Sequence, residues 1–201
     1  MAVEKFTSWY LQNYKIEPWA FIDNLFTAEE CEKIKVLGNK LQIKAAGIGA
    51  FEEKNIVVNT MIRKNRIGFF NTLDEESSWI YRRLTDAVNT INAQFYNFNL
   101  DYIECLQYTI YEEQNDHYEK HIDLMFHGPH TRKLSFSLQL DDADTYKGCD
   151  LELFTSNDGI TTKRNQGSMI VFPSWIMHRV TNLEVGTRHS LVGWVCGPAW
   201  K

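Results

Sequence analysis

The chain is poor in the features that would tie it to a secreted or fibrous fold. Its four cysteines, Cys31, Cys105, Cys149 and Cys196, are widely spread and form no Cys-x-x-Cys pair. A disulfide framework or a thiolate zinc site is therefore not expected. There are no internal repeats, linkers or low-complexity tracts. Long apolar runs are missing too: Met1-Ala2-Val3-Glu4-Lys5-Phe6 opens the chain without one. No signal peptide or membrane span is expected, and a reducing cytoplasm is the default compartment. Positive charge is in deficit. A formal net charge of -5 argues against nucleic acid or an anionic membrane as the main partner.

What the chain does have is one domain's length and a clear change of character near residue 100. The first stretch is aromatic-rich (Phe6, Trp9, Tyr10, Tyr14, Trp19, Phe21, Phe26), too apolar for a disordered tail. Pro18 breaks any helix there, and a strand is expected near Trp19 to Ile22. Thr27-Ala28-Glu29-Glu30 is a capping box starting a helix with Cys31, Ile34, Leu37 and Leu41 at helical spacing. Thr72-Leu73-Asp74-Glu75 is read as a second capping box. The helix after it carries Trp79, Ile80, Leu84, Ala87, Val88, Ile91 and Phe95 as an apolar stripe, closed by Asn97-Phe98-Asn99. Between the helices, Gly47 and Gly49 punctuate an aperiodic stretch, and Lys44 to Lys54 is a candidate lid. Arg63, Lys64 and Arg66 read as a solvated basic face.

After residue 100 the pattern is one of short strands separated by turn signals such as Asn157-Asp158-Gly159 and Gln166-Gly167, as in a sandwich or jelly roll. From Leu134 to Leu140 the alternation is clean. Leu134, Phe136, Leu138 and Leu140 share one face; Ser135, Ser137 and Gln139 share the other. That small polar face suits the lining of a polar cavity.

His121-Ile122-Asp123 carries the chemistry. Residues i and i+2 of an extended segment point the same way, so both side chains can grip one metal. Two imidazoles and one carboxylate are the protein half of the facial triad that holds non-haem Fe(II). The third ligand must come from a distant strand, and His178 is the best-placed candidate. Arg188 and Ser190 follow in Gly186-Thr187-Arg188-His189-Ser190 and share a strand face, with His189 pointing oppositely as a structural residue.

From Gln107 to Trp194 the chain resembles the Fe(II)/2-oxoglutarate dioxygenases, within them the prolyl-4-hydroxylase-like branch. The resemblance rests on Tyr111, Tyr118, His121 and Asp123, then Gly167, Phe172-Pro173, His178-Arg179-Val180, the Gly-x-Arg-x-Ser run and Trp194. It implies an α+β fold: a double-stranded β-helix (jelly roll) core with N-terminal helices packed on one sheet. It implies one domain over 1–201, with 1–100 as helical support and 101–201 as the catalytic β core. Fe(II), 2-oxoglutarate and O2 would be the cofactor and co-substrates. His121, Asp123 and His178 would ligate iron. Arg188 would bind the distal carboxylate of 2-oxoglutarate, with Ser190 and Tyr111 as lesser donors. The substrate would be a peptidyl proline or another amino-acid group. Cys149 departs from the pattern, because it stands where a second glycine is usual; the expected effect is on local backbone geometry rather than on chemistry.

Several residues keep two readings. Gln139 either touches the co-substrate or is a satisfied buried amide. Tyr118 is a second-rank site residue or packing. Leu151, Val180 and Trp194 read as pocket walls, although apolar residues need no function. His117 and His121, four apart, would pair at zinc on a helix, but their context is a loop before a strand. His127 and His130 fall in a turn and read as solvated. Three rival functions share the same ligand types. A nucleic-acid demethylase of the same superfamily would carry a second arginine six residues after the first, where Trp194 stands. A non-catalytic β-sandwich metal-binding module would hold a metal without turnover. A zinc or nickel cupin-like enzyme would use the same side chains for a different ion.

Overall fold

The computed structural model describes residues 16–47, 58–127 and 129–200. The N-terminal half supplies β1 (Ala20–Ile22), α1 (Ala28–Gly38), β2 (Lys44–Ala45), β3 (Arg63–Lys64), β4 (Arg66–Phe69) and α2 (Ser78–Ile91). Thr27 caps α1 as expected, in a complete capping box with Glu30. The second capping box does not form. Helix α2 begins only at Ser78, and its N-cap Ser77 makes no side-chain cap bond. The reason is local competition. Asn71 and Asp74 accept hydrogen bonds from the amides of Leu73 and Glu76, and these Asx turns hold the stretch in turn geometry. The helix ends in a π-turn, Asn92–Tyr96, with Asn97 left-handed.

The rest of the chain is β. It runs through β5 (Tyr102–Ile103), β6 (Gln107–Tyr111), β7 (His117–His121), β8 (Phe126–His127), β9 (His130–Gln139), β10 (Lys147–Gly148), β11 (Leu151–Phe154), β12 (Ile160–Thr161), β13 (Met169–Pro173), β14 (Met177–Val180), β15 (Leu183–Val185) and β16 (Arg188–Pro198). A nine-stranded sheet has the order β1-β13-β9-β16-β6-β4-β2, with β5 on β16 and β8 on β9. A five-stranded sheet has the order β12-β11-β14-β7-β3. β10 and β15 pair separately.

Side-chain alternation decides what lies on each face. Leu134, Phe136 and Leu138 of β9, with Leu140 just past it, join one buried cluster with Cys31 and Ile34 of α1 and Ile80, Leu84 and Val88 of α2. On β13, Met169 and Val171 enter that same cluster, while Ile170 and Phe172 enter a second one. There they meet Leu151, Leu153 and Val180 of the smaller sheet. The large sheet is thus covered on both faces, by helices behind and by the small sheet in front.

The N-terminal half is more than helical support. β1 pairs with β13, β3 with β7 and β4 with β6, so it contributes strands to both large sheets. Two-residue strands such as β2 and β3 carry no periodicity that a sequence could display. Lys44 and Ala45 of the candidate lid lie in β2, against Ile67 and Arg66; the stretch 48–54 of that lid lies outside the described residues. Among the described residues, no helix is long and apolar enough to cross a membrane.

Candidate metal and co-substrate site

The two sheets open onto a cavity of about 1070 Å³ lined by His121, Asp123, His178, Arg188, Ser190 and Tyr111 among others. Strand register creates its metal-binding corner. His121 on β7 lies directly opposite His178 on β14. Asp123 follows just past β7, tied down by its amide, which donates to the Ser174 carbonyl at 3.0 Å. One potential ligand atom from each of the three lies within 4.8 Å of the others. Asp123 Oδ2 is 3.4 Å from His178 Nε2, and Oδ1 is 3.8 Å from His121 Nε2.

Both histidines are oriented from behind. His121 Nδ1 lies 2.7 Å from the Glu119 carbonyl and His178 Nδ1 lies 2.9 Å from that of Ile176. A carbonyl can only accept, so Nδ1 carries the proton in each ring and Nε2 presents a lone pair to the corner. Tyr118 stacks on His121 with centroids 3.6 Å apart, so it packs against the site. Burial, with His178 alongside, pulls the His121 imidazole down to about 4. Burial also pulls on His178, but the nearer Asp123 carboxylate outweighs it and raises that ring's pKa. For Asp123, burial pushes upward and the two imidazoles with the Ser135 hydroxyl outweigh it, holding the carboxyl below its usual range. The Ser135 hydroxyl also meets that of Ser174 at 3.0 Å. A charged carboxylate beside two imidazoles whose Nε2 atoms face the corner is a donor set that fits a divalent cation.

At the other end of the cavity, Arg188 is 2 % exposed. Its Nε and Nη2 donate to Gln139 Oε1 at 3.2 and 3.0 Å. Among the described residues its Nη1 has no hydrogen-bond partner. A buried guanidinium with an orphaned donor fits a site for a ligand carboxylate. Ser190 and Thr109 lie in register on neighbouring strands and line the same cavity. Tyr111 lies opposite Arg188 and is driven upward in pKa by burial, so its hydroxyl stays a donor. Gln139 makes its contact with Arg188, and Leu151, Val180 and Trp194 are cavity walls.

Cys149 stands in an unusual backbone geometry. Gly148 and Cys149 both have positive φ, +69° and +55°, so the turn holds a left-handed non-glycine residue, as the departure foretold. The buried thiol lies beside the Arg188 guanidinium. Burial pushes the thiol up to about 11 against the pull of that guanidinium. It therefore stays neutral and adds no charge to the pocket.

Other placements differ from the sequence reading. Arg63 is not solvated: it is 8 % exposed, lies 4.4 Å over the Tyr118 ring and lines the cavity. Lys64 and Arg66 point away to Glu113 and Glu112. His117 and His121 lie on a strand, and the metal-competent group among the described residues does not include His117. His130 is held by Asp101 at 3.4 Å and by the Tyr102 ring. The sequence reading missed a further pair: Arg132 and Glu104 form a two-pronged ion pair at 2.7–2.8 Å. Trp194 covers Arg132 at 4.1 Å, and all three line the cavity.

Residues 106–196 match the profile of the 2OG-Fe(II) oxygenase superfamily. A PKHD-type hydroxylase of Synechococcus sp. is 35% identical over 83 residues, 41% of this chain and 38% of that protein. One from Crocosphaera subtropica is 33% identical over 97 residues, 47% of this chain and 43% of that protein. The aligned segments thus span well under half of these relatives. Among solved structures, a Pseudomonas putida prolyl-4-hydroxylase superposes with TM-score 0.69 at 18% identity, over 90% of this chain and 94% of that one. A prolyl hydroxylase from Trichoplax adhaerens, solved with a hypoxia inducible factor peptide fragment, superposes with TM-score 0.72 at 15% identity, over 89% and 83%. At such identities the likeness is one of fold, a jelly-roll core.

Proposed function

We propose that the chain, whose residues 106–196 match the profile of the 2OG-Fe(II) oxygenase superfamily, is an Fe(II)- and 2-oxoglutarate-dependent dioxygenase. Its reaction is hydroxylation of a C–H bond in a peptidyl proline or another amino-acid substrate. One observation carries the reading. A single cavity holds the His121, Asp123 and His178 cluster on one wall and the buried Arg188, with its orphaned Nη1, on another. The names of the hydroxylase relatives and the peptide in the Trichoplax structure favour a peptide substrate.

In this reading His121, Asp123 and His178 hold the iron through their cavity-facing atoms. When bound, iron with 2-oxoglutarate and O2 supplies the oxidising chemistry; the protein binds, orients and excludes water. Arg188 takes the distal carboxylate of 2-oxoglutarate, and the Ser190 and Tyr111 hydroxyls donate beside it. Gln139 acts as a positioning residue by fixing the guanidinium plane. Leu151, Val180 and Trp194 keep the reacting centre dry. The chain is read as one domain, 1–201, with the helices as the layer behind the nine-stranded sheet. A reducing cytoplasm suits a ferrous site.

The test is mass spectrometry. Proline-containing peptides incubated with enzyme, Fe(II) and 2-oxoglutarate should gain one oxygen with stoichiometric succinate, and His178→Ala should abolish both. Faster succinate release with methylated single-stranded nucleic acid than with every peptide would move the chain to the demethylase branch. No release with any substrate and no iron binding would leave a non-catalytic module.

A further inference from the structure

The strand that carries the site's polar face has an irregularity near its start. Along β9, Val195 faces Leu134 and the next residue, Cys196, faces Arg132, so Lys133 is the extra residue of a β-bulge. Bulges re-aim side chains. Lys133 is 3 % exposed, and its Nζ lies 3.2 Å from the centroid of the Trp200 ring. It lines a second cavity of about 290 Å³ with Asn97, Phe98, Asn99 and Trp200. No lining residue is shared with the large cavity.

The chemistry of this cavity is incomplete. Among the described residues, no hydrogen-bond acceptor or ion-pair partner reaches Lys133 Nζ; the carboxylate that acts on it does so through space, from Asp101, itself paired with His130. Burial of an ammonium without a counter-charge is costly, and a ring face compensates only in part. Its three N–H donors are free to meet a ligand in the cavity. Beside the two asparagines the wall is aromatic, formed by Phe98 and Trp200 with Trp175 packed behind them. Phe98, Trp175 and Trp200 pack on one another at 5.1–5.7 Å. The Asn92 side chain clamps both the amide and the carbonyl of Phe98.

We propose that this cavity is a second binding site, for a carboxylate carried on an apolar group. One buried cation among aromatic walls matches a monoanion; a doubly charged phosphate would need more donors than Lys133 supplies. The site lies two backbone hydrogen bonds from the metal corner, since Lys133 accepts from the Ser174 amide and Ser174 accepts from that of Asp123. The assignment stands on the cavity itself and does not depend on the oxygenase reading.

Calorimetric titration of the full chain tests it, with 3-phenylpropanoate as the probe and 3-phenylpropanamide as its neutral counterpart. The carboxylate should bind saturably and the amide should not. Lys133→Met should weaken the carboxylate about tenfold or more, the loss of one charged hydrogen-bonding partner. Arg188→Met should leave it unchanged. Trp200→Ala removes a half-exposed wall and should also weaken binding; it serves if Lys133→Met does not fold. Acetyl-Ala-Ala-Phe with a free carboxyl terminus distinguishes the source: tighter binding than the probe points to a peptide terminus, equal or weaker binding to a small free acid. Equal binding of the amide, loss in Arg188→Met alone, or no saturable binding of either acid would overturn the proposal.

Discussion

Gln139 Oε1 accepts two hydrogen bonds from Arg188, at 3.2 Å from Nε and 3.0 Å from Nη2, and so fixes a buried guanidinium with Nη1 left over. Arg188→Met should weaken 2-oxoglutarate binding by roughly thirty-fold to a few thousand-fold, the equivalent of about 2–5 kcal/mol for one partner of a buried charged pair. Gln139→Leu leaves the charge but frees its plane. It should weaken the co-substrate less and lower stability by about 1–3 kcal/mol, because a buried donor loses its acceptor. Calorimetry with 2-oxoglutarate and urea unfolding separate the two effects. Normal 2-oxoglutarate affinity in Arg188→Met would remove it from the site.

His121→Ala, Asp123→Ala and His178→Ala should each lose Fe(II) binding and turnover while staying folded, since all three sit at strand ends beside the cavity. Ser135→Ala should act more gently. It removes a hydroxyl from Asp123 and should lower Fe(II) affinity by about 10–100-fold, as for other groups that orient a ligand. Equilibrium dialysis of the metal is the measurement, and an unchanged affinity would make the serine a spectator.

Asp141 gives a pH prediction away from the metal. It is buried between Lys35 Nζ at 2.8 Å and His189 Nδ1 at 2.9 Å, and it also accepts from the His189 amide. Burial pushes its carboxyl up, but His189 and Lys35 outweigh it and hold it below the usual range. A lowered carboxylate pKa stabilises the fold above the unfolded value, about 4, and the gain is lost as pH falls through the folded value. Asp141→Asn should therefore be less stable than the parent at pH 7 by about 1–3 kcal/mol, with the gap closing at lower pH. Urea midpoints across the acid range would show it; a constant gap would refute it.

Cys149 supplies a reversed ranking. Alanine keeps the left-handed strain and loses the thiol contacts, whereas glycine relieves the strain. Cys149→Gly should exceed Cys149→Ala in stability by about 1 kcal/mol, near the cost of the left-handed region for an L-residue. Thermal unfolding of the two proteins decides it.

The legible parts of this molecule were those with a period or a fixed spacing. Leu134 to Leu140 announced its two faces, and His121 with Asp123 announced a shared side because two residues is one strand repeat. The rest depended on partners distant in sequence. Arg63 looked solvated beside Lys64 and Arg66 because a strand of two residues shows no alternation. Thr72 looked like a cap because the competing Asx turns at Asn71 and Asp74 leave no mark in a helix pattern. Arg132 and Glu104 are 28 residues apart and meet only across the folded sheet. Lys133 escaped notice because the bulge breaks the very alternation by which β9 was read.

The facing of His121 and His178 makes the metal corner a gauge of chain length. A single residue inserted between Pro173 and Met177 would turn His178 to the opposite side of its strand, and no side-chain adjustment could restore it. The turn at 155–159 has no such duty, since it only joins β11 to β12. Length should therefore drift freely there across descendants of this fold, while the five residues from Pro173 to Met177 stay rigid in number even where their identities change.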